Sequence, residues 1–545
     1  MKRLLSLFPA LLISLSAFAQ GINAEYDRNS LTVFTIHHND RYDAISDAYL
    51  SRSFPGGEKF DNNMLDIRHL DVDYTRFIKS ETADIQQYMR LNAANVEKEL
   101  KAHFVSLQIV GKWFNRSPEG RMDLNLINKR ADYNATDKTY NIASSQALGE
   151  YLLHGEGVKL VDNSYILVVD HSVPERSEYR DRDGKITSIS YSTQAIGYLY
   201  KIAFGELQRQ AVYDLWIYPE DDSDVRKAKL EKWDKLFIPT NLTALDIASS
   251  SASIDPRRNP DETPALRDAV QGCASALIDE FEKTIEAWKV KTTIYKTHPI
   301  QSKVGTKEGI KNMSRFEVRE YVLDEKGNVD TRRRGYVRAT TIVNNTKATK
   351  GSSSASRFYQ IAGGKLEPGM LLKEKKSANL DVKALYYGGA LKGFGAEVDL
   401  MFGMTDGGSV NHVRLSGTYN GYKDAQLGEP ISGIGVRMGY GYGLRPFRQL
   451  EVIPGAYILG DYLASKSTTS TNESEKSMLR KMAFGLEAGL DLNITIFYPV
   501  KINAGAFYSL PILKGALYKD YSGILNELGQ KREGFTWRAG LVYEF

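Results

Sequence analysis

The chain has 545 residues, a quarter of them charged, and a formal net charge of +4. This charge is small for such a length, so we predict no nucleic-acid partner. The mean hydropathy is negative, and beyond the N-terminus there is no apolar run of about 18 residues, which argues against a membrane protein built from helices. At roughly 100–200 residues per domain, the length predicts two or three domains.

Residues 1–19 are predicted to be a signal peptide. Lys2 and Arg3 form a positive start, Leu4–Leu15 is an apolar segment, and Ala17–Ala19 matches an A-x-A cleavage site. The alternative is an uncleaved N-terminal anchor. The signal peptide predicts export across the inner membrane, with cleavage before Gln20.

Residues 20–291 are predicted to form a mixed α/β domain in the periplasm. Apolar runs predict buried strands, and apolar residues spaced by three and four predict helices. The predicted strands are 31–37 and 165–170, with a further pair at 199–204 and 212–218. The predicted helices are 82–104, 145–160 and one that begins at Thr263 and Pro264. The polar stretch 221–254 is interpreted as a connection.

The single cysteine rules out an internal disulfide framework. It lies on an apolar helical stripe, which favours a buried structural residue over a reactive thiol. This stripe consists of Leu266, Val270, Cys273, Leu277, Phe281 and Trp288. Residues 292–376 are predicted to form a small β-rich domain, with a hairpin made by 316–323 and 335–343 and a further strand at 358–361.

From residue 377 to Phe545 the pattern changes to short segments that alternate between apolar and polar residues. Period two places alternate side chains on opposite faces of a strand. About eight segments of this kind predict an antiparallel transmembrane β-barrel, with short turns at 405–408, 444–447 and 495–499 and longer polar loops at 420–431, 464–477 and 511–532. The fold class predicted for the whole chain is therefore multidomain α+β: a mixed α/β domain, a small β-rich domain and this barrel.

The last strand resembles the C-terminal signature of bacterial outer-membrane barrels, in which a terminal aromatic residue follows apolar residues at alternate positions. The residues that carry the resemblance are Phe535, Trp537, Leu541, Tyr543 and Phe545. The resemblance implies recognition by the barrel-insertion machinery, a lipid-facing outer surface and a location in the outer membrane.

The polar faces of the predicted strands carry charges of both signs. They are Glu397, Asp399, Arg414, Arg437, Glu487, Asp491, Lys501, Arg538 and Glu544. An eight-stranded barrel is just wide enough for side chains to fill it. A salt-bridged interior is therefore favoured over an ion-selective pore, although both readings stay open.

No residue pattern in the chain indicates catalysis. The cluster His37, His38, Asn39 and Asp40 is interpreted as polar residues at a strand end rather than a metal site, because neighbouring strand residues point to opposite faces. The triplet His69, Asp71 and Asp73 has strand-like spacing and could line one face, where a solvated edge is favoured over a metal site. The run Arg332–Arg334 is interpreted as a solvated turn, with contact to an anionic partner as the alternative. Phosphate-binding, dinucleotide and hydrolase motifs are absent from the sequence, so no catalytic residue, metal or cofactor is predicted.

The predicted function is that of an outer-membrane protein whose barrel anchors a periplasmic binding or assembly domain. The expected partners are outer-membrane lipid, the barrel-insertion machinery and a periplasmic protein or envelope polymer. Two alternatives remain open. One is an envelope enzyme with a dispersed active site, and the other is a narrow channel or export component.

Overall fold

A computed structural model describes three sheets, each with its own strand order. It covers residues 28–37, 54–63, 65, 69–71, 85–134, 158–323, 329–346, 354–423, 430–465, 482–515, 518–519, 522–527 and 531–545. The first two sheets form the soluble part, and the third closes into a barrel. The predicted α+β multidomain fold class, with a barrel at its C-terminal end, is confirmed. The predicted signal peptide lies outside the described residues.

The first sheet is mixed. Its strands are β1 (Asn29–His37), β2 (Phe60–Asn62), β3 (His69–Asp71), β4 (Ser164–His171), β5 (Glu175–Arg180), β6 (Ile186–Ile202) and β7 (Thr240–Ile254). β1 pairs in parallel with β2, β3 and β4. β6 pairs antiparallel with β4, β5 and β7. The strands predicted at 31–37 and 165–170 thus lie next to each other in the sheet.

Helices cover both faces of this sheet. They are α1 (Ile85–Ala102), α2 (Val105–Trp113), α3 (Asn125–Asn134), α4 (Glu206–Asp214), α5 (Ser223–Trp233) and α6 (Thr263–Thr284). Phe34 and Ile36 pack in the core formed with α1 and α2, whereas Leu31 and Val33 pack in the core that contains α6. Because β1 is buried on both faces, its apolar residues are found on both of them and do not alternate strictly with polar ones.

Two predictions in this domain are wrong. Residues 212–218, predicted as a strand, lie largely in α4 and the turn after it. The backbone N–H of Gly205 donates to Gln208 Oε1 at 3.1 Å and caps the start of this helix. Residues 221–254, predicted as a connection, contain α5 and β7; Asp222 caps α5 by accepting from the N–H groups of Asp224 and Val225. Of the helix predicted at 145–160, residues 145–157 lie outside the described part, and 158–162 are helical.

The second sheet is antiparallel and forms the small domain. Its strands are β8 (Lys291–Thr293), β9 (Lys296–Thr297), β10 (Ile300–Ser302), β11 (Arg315–Leu323), β12 (Val329–Ala339), β13 (Ser356–Gly363) and β14 (Leu371–Glu374), in the order β8-β14-β11-β12-β13-β10-β9. The predicted hairpin is present as β11 and β12, with β12 beginning six residues earlier than the predicted 335–343. The residues that connect these two strands, 324–328, lie outside the described part.

The third sheet is a closed antiparallel barrel of eight strands. They are β15 (Leu380–Gly389), β16 (Gly393–Phe402), β17 (Val410–Lys423), β18 (Pro430–Phe447), β19 (Leu450–Ser465), β20 (Met482–Phe497), β21 (Val500–Lys514) and β22 (Gly534–Glu544). β22 pairs with β15 and closes the cylinder. A short helix, α7 (Ser522–Glu527), lies in the last connection. None of the helices in the described ranges is long and apolar enough to cross a membrane.

Several barrel strands are longer than the roughly 9–11 residues that a tilted transmembrane strand needs; β18 has 18 residues. Most of the predicted turns 444–447 and 495–499 therefore belong to strands, which meet at residues 448–449 and 498–499. We call this end of the barrel, together with the turn at 405–408, the turn end, and the opposite end the loop end. Hairpin pairing extends over these longer strands because the antiparallel ladder satisfies their backbone groups within the sheet.

Candidate functional site

The outer surface of the barrel is apolar along its whole circumference. Outward side chains such as Ile458, Met438 and Leu541 are 67%, 64% and 61% exposed. Exposed aromatic residues gather at both ends. At the loop end they are Phe394, Tyr419, Tyr508 and Phe535, and at the turn end Phe447, Phe497, Tyr543 and Phe545. An apolar band between two aromatic girdles is the surface expected of a barrel in lipid.

All five residues of the C-terminal signature lie on this outer surface. Phe535, Trp537, Leu541, Tyr543 and Phe545 are between 43% and 61% exposed. The backbone N–H of Phe545 donates to the carbonyl oxygen of Leu380. The signature strand is therefore the strand that closes the barrel against β15.

The nine charged residues predicted to face the barrel interior are all buried, with at most 3% of any one exposed. At the centre, Arg538 donates to Glu397 Oε2 at 3.0 Å and to Asp491 Oδ1 at 2.8 Å. Arg414 donates to Asp491 Oδ2 at 2.7 Å. Asp399 lies 3.6 Å from Arg414 Nε. These charges offset one another across the width of the barrel.

Further interior residues, which the sequence interpretation did not name, complete this network. Lys383 Nζ lies 2.7 Å from Glu397 and 2.9 Å from Asp399. His412 lies between two carboxylates: its Nδ1 is 2.9 Å from Asp399 and its Nε2 is 3.5 Å from Glu451. The signal was available in the alternation. Lys383 pairs directly opposite Glu397, and His412 lies two residues, one strand period, before Arg414 on the same strand. Lys383 was missed because the first strand alternates less clearly.

The Tyr457 hydroxyl joins the two central arginines. Arg414 and Arg538 both donate to it, at 2.7 and 2.8 Å, and it donates to Glu397 at 3.1 Å. Pro454 interrupts the pattern of this strand in the sequence, yet it pairs opposite Leu490 within an unbroken register. We define the barrel network as the inward polar residues in contact with one another: Lys383, Glu397, Asp399, His412, Arg414, Tyr457, Asp491 and Arg538, with Asp381, Glu451, Lys501 and Glu544.

Residues of the last connection, between β21 and β22, fill the loop end of the barrel. Arg437 lies 3.6 Å from Glu487, and Arg532 Nη1 lies 3.5 Å from Asp461. Arg532 is 2% exposed although it belongs to the connection after α7. Tyr518 and Leu525 pack with Leu463 and Ala483 in a small apolar cluster. The described residues of the last connection therefore pack inward and cap this end of the barrel.

The turn end is covered by the small domain. Arg338 of β12 is 1% exposed and donates to Glu544 Oε1 at 2.6 Å, and to the Met313 carbonyl at 3.0 Å. Glu544 also lies 2.7 Å from Lys501, which lies 2.8 Å from Asp381. The barrel network thus continues into the small domain through one buried ion pair.

Other contacts around this pair fix the same interface. Asn312 Nδ2 donates to the Met404 carbonyl at 2.8 Å, and Met404 N–H donates back to Asn312 Oδ1 at 2.9 Å. On the rim, Arg357 pairs with Asp406 at 2.7 Å, and the hydroxyl of Thr340 donates to Asp406 at 2.6 Å. We call the whole set the docking interface.

The mixed α/β domain is in turn joined to the small domain by a buried charge cluster. Lys59 is 5% exposed and lies 3.0 Å from Glu374 of β14 and 3.3 Å from Glu282 of α6. Lys376 also pairs with Glu282. Because Lys59 contacts one carboxylate from each domain, it fixes the position of the α/β domain relative to the small domain.

A second feature of the α/β domain is a cavity of about 460 Å³ between α2 and the C-terminal end of α5. Its lining consists of Leu65, Phe104, Leu107, Gln108, Gly111, Lys112, Arg116, Trp233 and Asp234. The Arg116 guanidinium lies over the Trp233 ring at 4.4 Å, and burial lowers the pKa of Arg116. Within the described residues this lining offers no histidine, cysteine or serine as a nucleophile or base.

The remaining sequence candidates are placed only in part. His37 ends β1 and pairs with Asp71 of β3, and Thr35 pairs with His69. His38, Asn39, Asp40 and Asp73 lie outside the described residues. Over the part of the chain that the structure covers, no group of three or more potential ligands could hold a metal ion.

Cys273 is fully buried in α6, and its thiol donates to the Thr193 carbonyl at 3.4 Å. Burial raises the pKa of this thiol to about 12. A thiol with so high a pKa is almost entirely protonated at neutral pH, which is the property of a structural residue.

Comparison with known proteins gives matches among solved structures only. No family model matches the chain, and no curated protein sequence matches it. The N-terminal β-barrel domain of Pseudomonas aeruginosa OprF matches at 13% identity over 31% of this chain and 100% of that chain, with a TM-score of 0.20. The Yersinia pestis outer membrane protein Ail matches at 13% identity over 30% of this chain and 98% of that chain, also at 0.20.

A longer alignment involves the outer membrane channel DcaP of Acinetobacter baumannii. It covers 70% of this chain and 95% of that chain at 9% identity, with a TM-score of 0.15. These TM-scores are low, so the assignment of the barrel fold rests on its own strand pairing and closure.

Proposed function

We propose that this chain is an outer-membrane protein whose filled barrel is a rigid anchor for a periplasmic binding or assembly domain. The observation that carries the proposal is the buried pair between Arg338 of the small domain and Glu544 of the last barrel strand. A domain attached only by a linker would not need a charge of its own inside the mouth of the barrel.

The outer surface supports the membrane location. Backbone polar groups in hydrocarbon must be satisfied within the protein, and a closed barrel does this without exposed edges. The barrel meets that condition and carries an apolar outer face with aromatic girdles at both ends. The resemblance of the terminal strand to the outer-membrane signature favours the same location.

The arrangement of turns supports a periplasmic position for the soluble part. Barrels of the outer membrane have short periplasmic turns and longer outer loops. The small domain contacts the turn end, through Met404, Asp406 and Tyr498. With eight strands, the chain enters and leaves the barrel at this same end.

The filled interior favours an anchor over a channel. Arg414, Asp491 and Arg538 at the centre are 0–1% exposed. An ion crossing the barrel would have to separate pairs whose partners have already lost their water, which costs several kcal/mol per ion in proteins. The partner that the anchored domain binds is, in this proposal, a periplasmic protein or an envelope polymer.

Protease protection of the full chain in its native envelope tests the proposed arrangement. In intact cells, added protease should leave the soluble part uncut, whereas after permeabilisation of the outer membrane it should remove the soluble part and leave a folded fragment of barrel size. Folding of that fragment is checked by its heat-dependent mobility in detergent gels. Cleavage of the soluble part in intact cells would place it outside the cell and contradict the proposal.

A further inference from the structure

A cavity of about 240 Å³ lies between the small domain and the outer wall of the barrel at its turn end. On the small-domain side it is lined by Arg333, Arg334 and Tyr336, and on the barrel side by Ile496, Phe497 and Tyr498. This volume is below the roughly 300–1,000 Å³ of sites that enclose drug-sized ligands. It therefore suits one compact group rather than a whole ligand.

The floor of the cavity is aromatic and its wall is basic. The rings of Tyr336 and Tyr498 lie 4.0 Å apart between centroids. Arg333 is held over this floor, with Nη1 donating to the Tyr336 hydroxyl at 3.2 Å. Arg334 Nε lies 3.2 Å from Glu320 on β11, outside the cavity lining. Within the described residues no carboxylate lines the cavity, so a bound group would meet net positive charge.

The mouth of the cavity opens on the lipid-facing surface. Ile496 and Phe497 are 54% and 63% exposed and continue the apolar face of β20. Phe447, 69% exposed, belongs to the girdle at the same end. Arg448 lies beside the cavity and donates to the Gly364 carbonyl at 3.2 Å. Basic groups therefore lie directly below an aromatic girdle, at the level where phospholipid headgroups begin.

We propose that this cavity binds the headgroup of an anionic phospholipid from the periplasmic leaflet, with its acyl chains along Ile496 and Phe497. The guanidinium of Arg333 would donate to the phosphate oxygens, a geometry that arginine matches in bidentate fashion. An amine-bearing headgroup would find no carboxylate in the lining. This inference rests on the proposed membrane location. It assigns a function to Arg333 and Arg334, two of the three residues in the run Arg332–Arg334.

The test uses the full chain purified in detergent with an equimolar mixture of phosphatidylglycerol and phosphatidylcholine of equal chain length. Native mass spectrometry measures which lipid is retained. The wild type should retain phosphatidylglycerol in preference, and the variant Arg333→Gln/Arg334→Gln should lower its affinity by at least about tenfold, because charge-assisted hydrogen bonds are lost. Arg332→Gln is the matched control, since Arg332 is exposed and does not line the cavity; it should retain phosphatidylglycerol as the wild type does.

Several outcomes would overturn the inference. These are equal retention of both lipids by the wild type, unchanged retention by the double variant, or an equal loss in Arg332→Gln. Displacement of the lipid by an equal concentration of inorganic phosphate would show that the cavity recognises a free anion instead. If loss of the Arg334–Glu320 pair prevents folding, Arg333→Gln alone carries the test, because Arg333 is exposed on the strand.

Failure of the proposed function is distinguishable from failure of this inference. A protein that does not insert into phospholipid vesicles contradicts the membrane location itself. A protein that inserts and has heat-dependent mobility, but shows no preference for phosphatidylglycerol, contradicts the lipid site alone.

Discussion

At the scale of single residues, the barrel interior shows how buried charges are tolerated. Each guanidinium at the centre meets carboxylates or a tyrosine hydroxyl, as Arg538 does with Glu397, Asp491 and Tyr457. Removing an ion from water costs several kcal/mol, so breaking such a pair by deleting one member is far more damaging than its net contribution suggests. The same reasoning applies to Arg338, which connects two domains.

Replacing Arg338 by alanine should destabilise the docking interface strongly. Glu544 would keep Lys501 but lose the partner 2.6 Å away, and we expect the free energy of unfolding to fall by about 3–5 kcal/mol. Urea unfolding of the full chain in phospholipid vesicles, followed by tryptophan fluorescence, measures the change.

Arg357→Ala is the matched control, because Arg357 pairs with Asp406 at the same interface but is 48% exposed in its side chain. An exposed pair contributes about 0–1 kcal/mol. If Arg338→Ala and Arg357→Ala lowered the free energy of unfolding equally, burial would not be the reason why the Arg338–Glu544 pair is important.

At the scale of elements, the glycines of the inward faces make room for large charged neighbours. A Cβ on Gly441 would collide with the Arg414 guanidinium, and one on Gly439 with the Tyr457 ring. The alternation of glycine and apolar residues in β18 therefore reflects two demands, an apolar outward side chain at one position and space for a neighbouring strand's large inward side chain at the next. Small inward residues are what allow an eight-stranded barrel to contain arginines.

Gly540→Ala should reduce folding of the barrel. The new Cβ would meet the carbonyl oxygen of Ala384 on β15, and because that atom belongs to the backbone, the closing strands must separate. Overpacking of this kind costs typically about 1–3 kcal/mol.

Gly417→Ala is the control, since a Cβ there meets no atom within 4 Å. The readout is the folded fraction of each variant in heat-dependent gel mobility after refolding into detergent. Equal folding of Gly540→Ala and Gly417→Ala would show that the closing strands accommodate the methyl group.

Glu262 lies where β5, β6 and α6 meet, and its contacts should make the free energy of unfolding depend on pH. Glu262 accepts from Arg176 at 2.7 Å and from the Tyr191 hydroxyl at 2.6 Å. These bonds lower the pKa of Glu262 to about 2, below its value of about 4.3 in an unfolded chain. The stabilisation is therefore complete above about pH 5 and is lost as the pH falls towards 2.

Glu262→Gln should lower the free energy of unfolding at pH 7 by about 1 kcal/mol or less, as expected of an exposed pair, and should leave it unchanged near pH 2. Thermal unfolding between pH 7 and pH 2 measures this convergence. Glu220→Gln, at an exposed position, should follow the wild type throughout. A constant difference between Glu262→Gln and wild type at all pH values would contradict the assigned pKa.

At the scale of the whole molecule, the barrel is covered at both ends by different parts of the chain. The last connection places Arg532 in the loop end, and the small domain places Arg338 in the turn end. Lys59 then fixes the α/β domain to the small domain. Three sheets of different topology are thus held in one arrangement by buried charges, as the proposed anchoring role requires.

The full chain should show no stable conductance in planar lipid bilayers, because the central side chains are packed and ion-paired. Arg538→Ser, which shortens a central side chain, should either fail to fold or produce small conductance steps, and its heat-dependent mobility separates the two. Stable conductance steps of the wild type would favour the channel alternative and contradict the anchoring role.

Local pattern was enough to predict part of this architecture. Period-two alternation gave the eight barrel strands, since each outward position must be apolar and each inward position fits the interior, and the inward charges lie where alternation put them. The stretch 240–254 was misread because a strand rich in serine has no apolar signature of its own; β7 exists because β6 offers it a backbone partner. The segment 212–218 was misread because a short amphipathic helix and a short strand share the same apolar residues.

The sequence by itself determined which residues face out and which face in along the barrel, because the two faces of a strand are fixed by geometry that involves neighbouring residues only. Only the tertiary structure decided which inward charge meets which. Arg338 and Glu544 are separated by 206 positions in the chain, and the cavity beside Arg333 is formed by two domains that no local pattern relates. Pairing across such distances depends on the closure of the barrel and on the docking of one sheet against another.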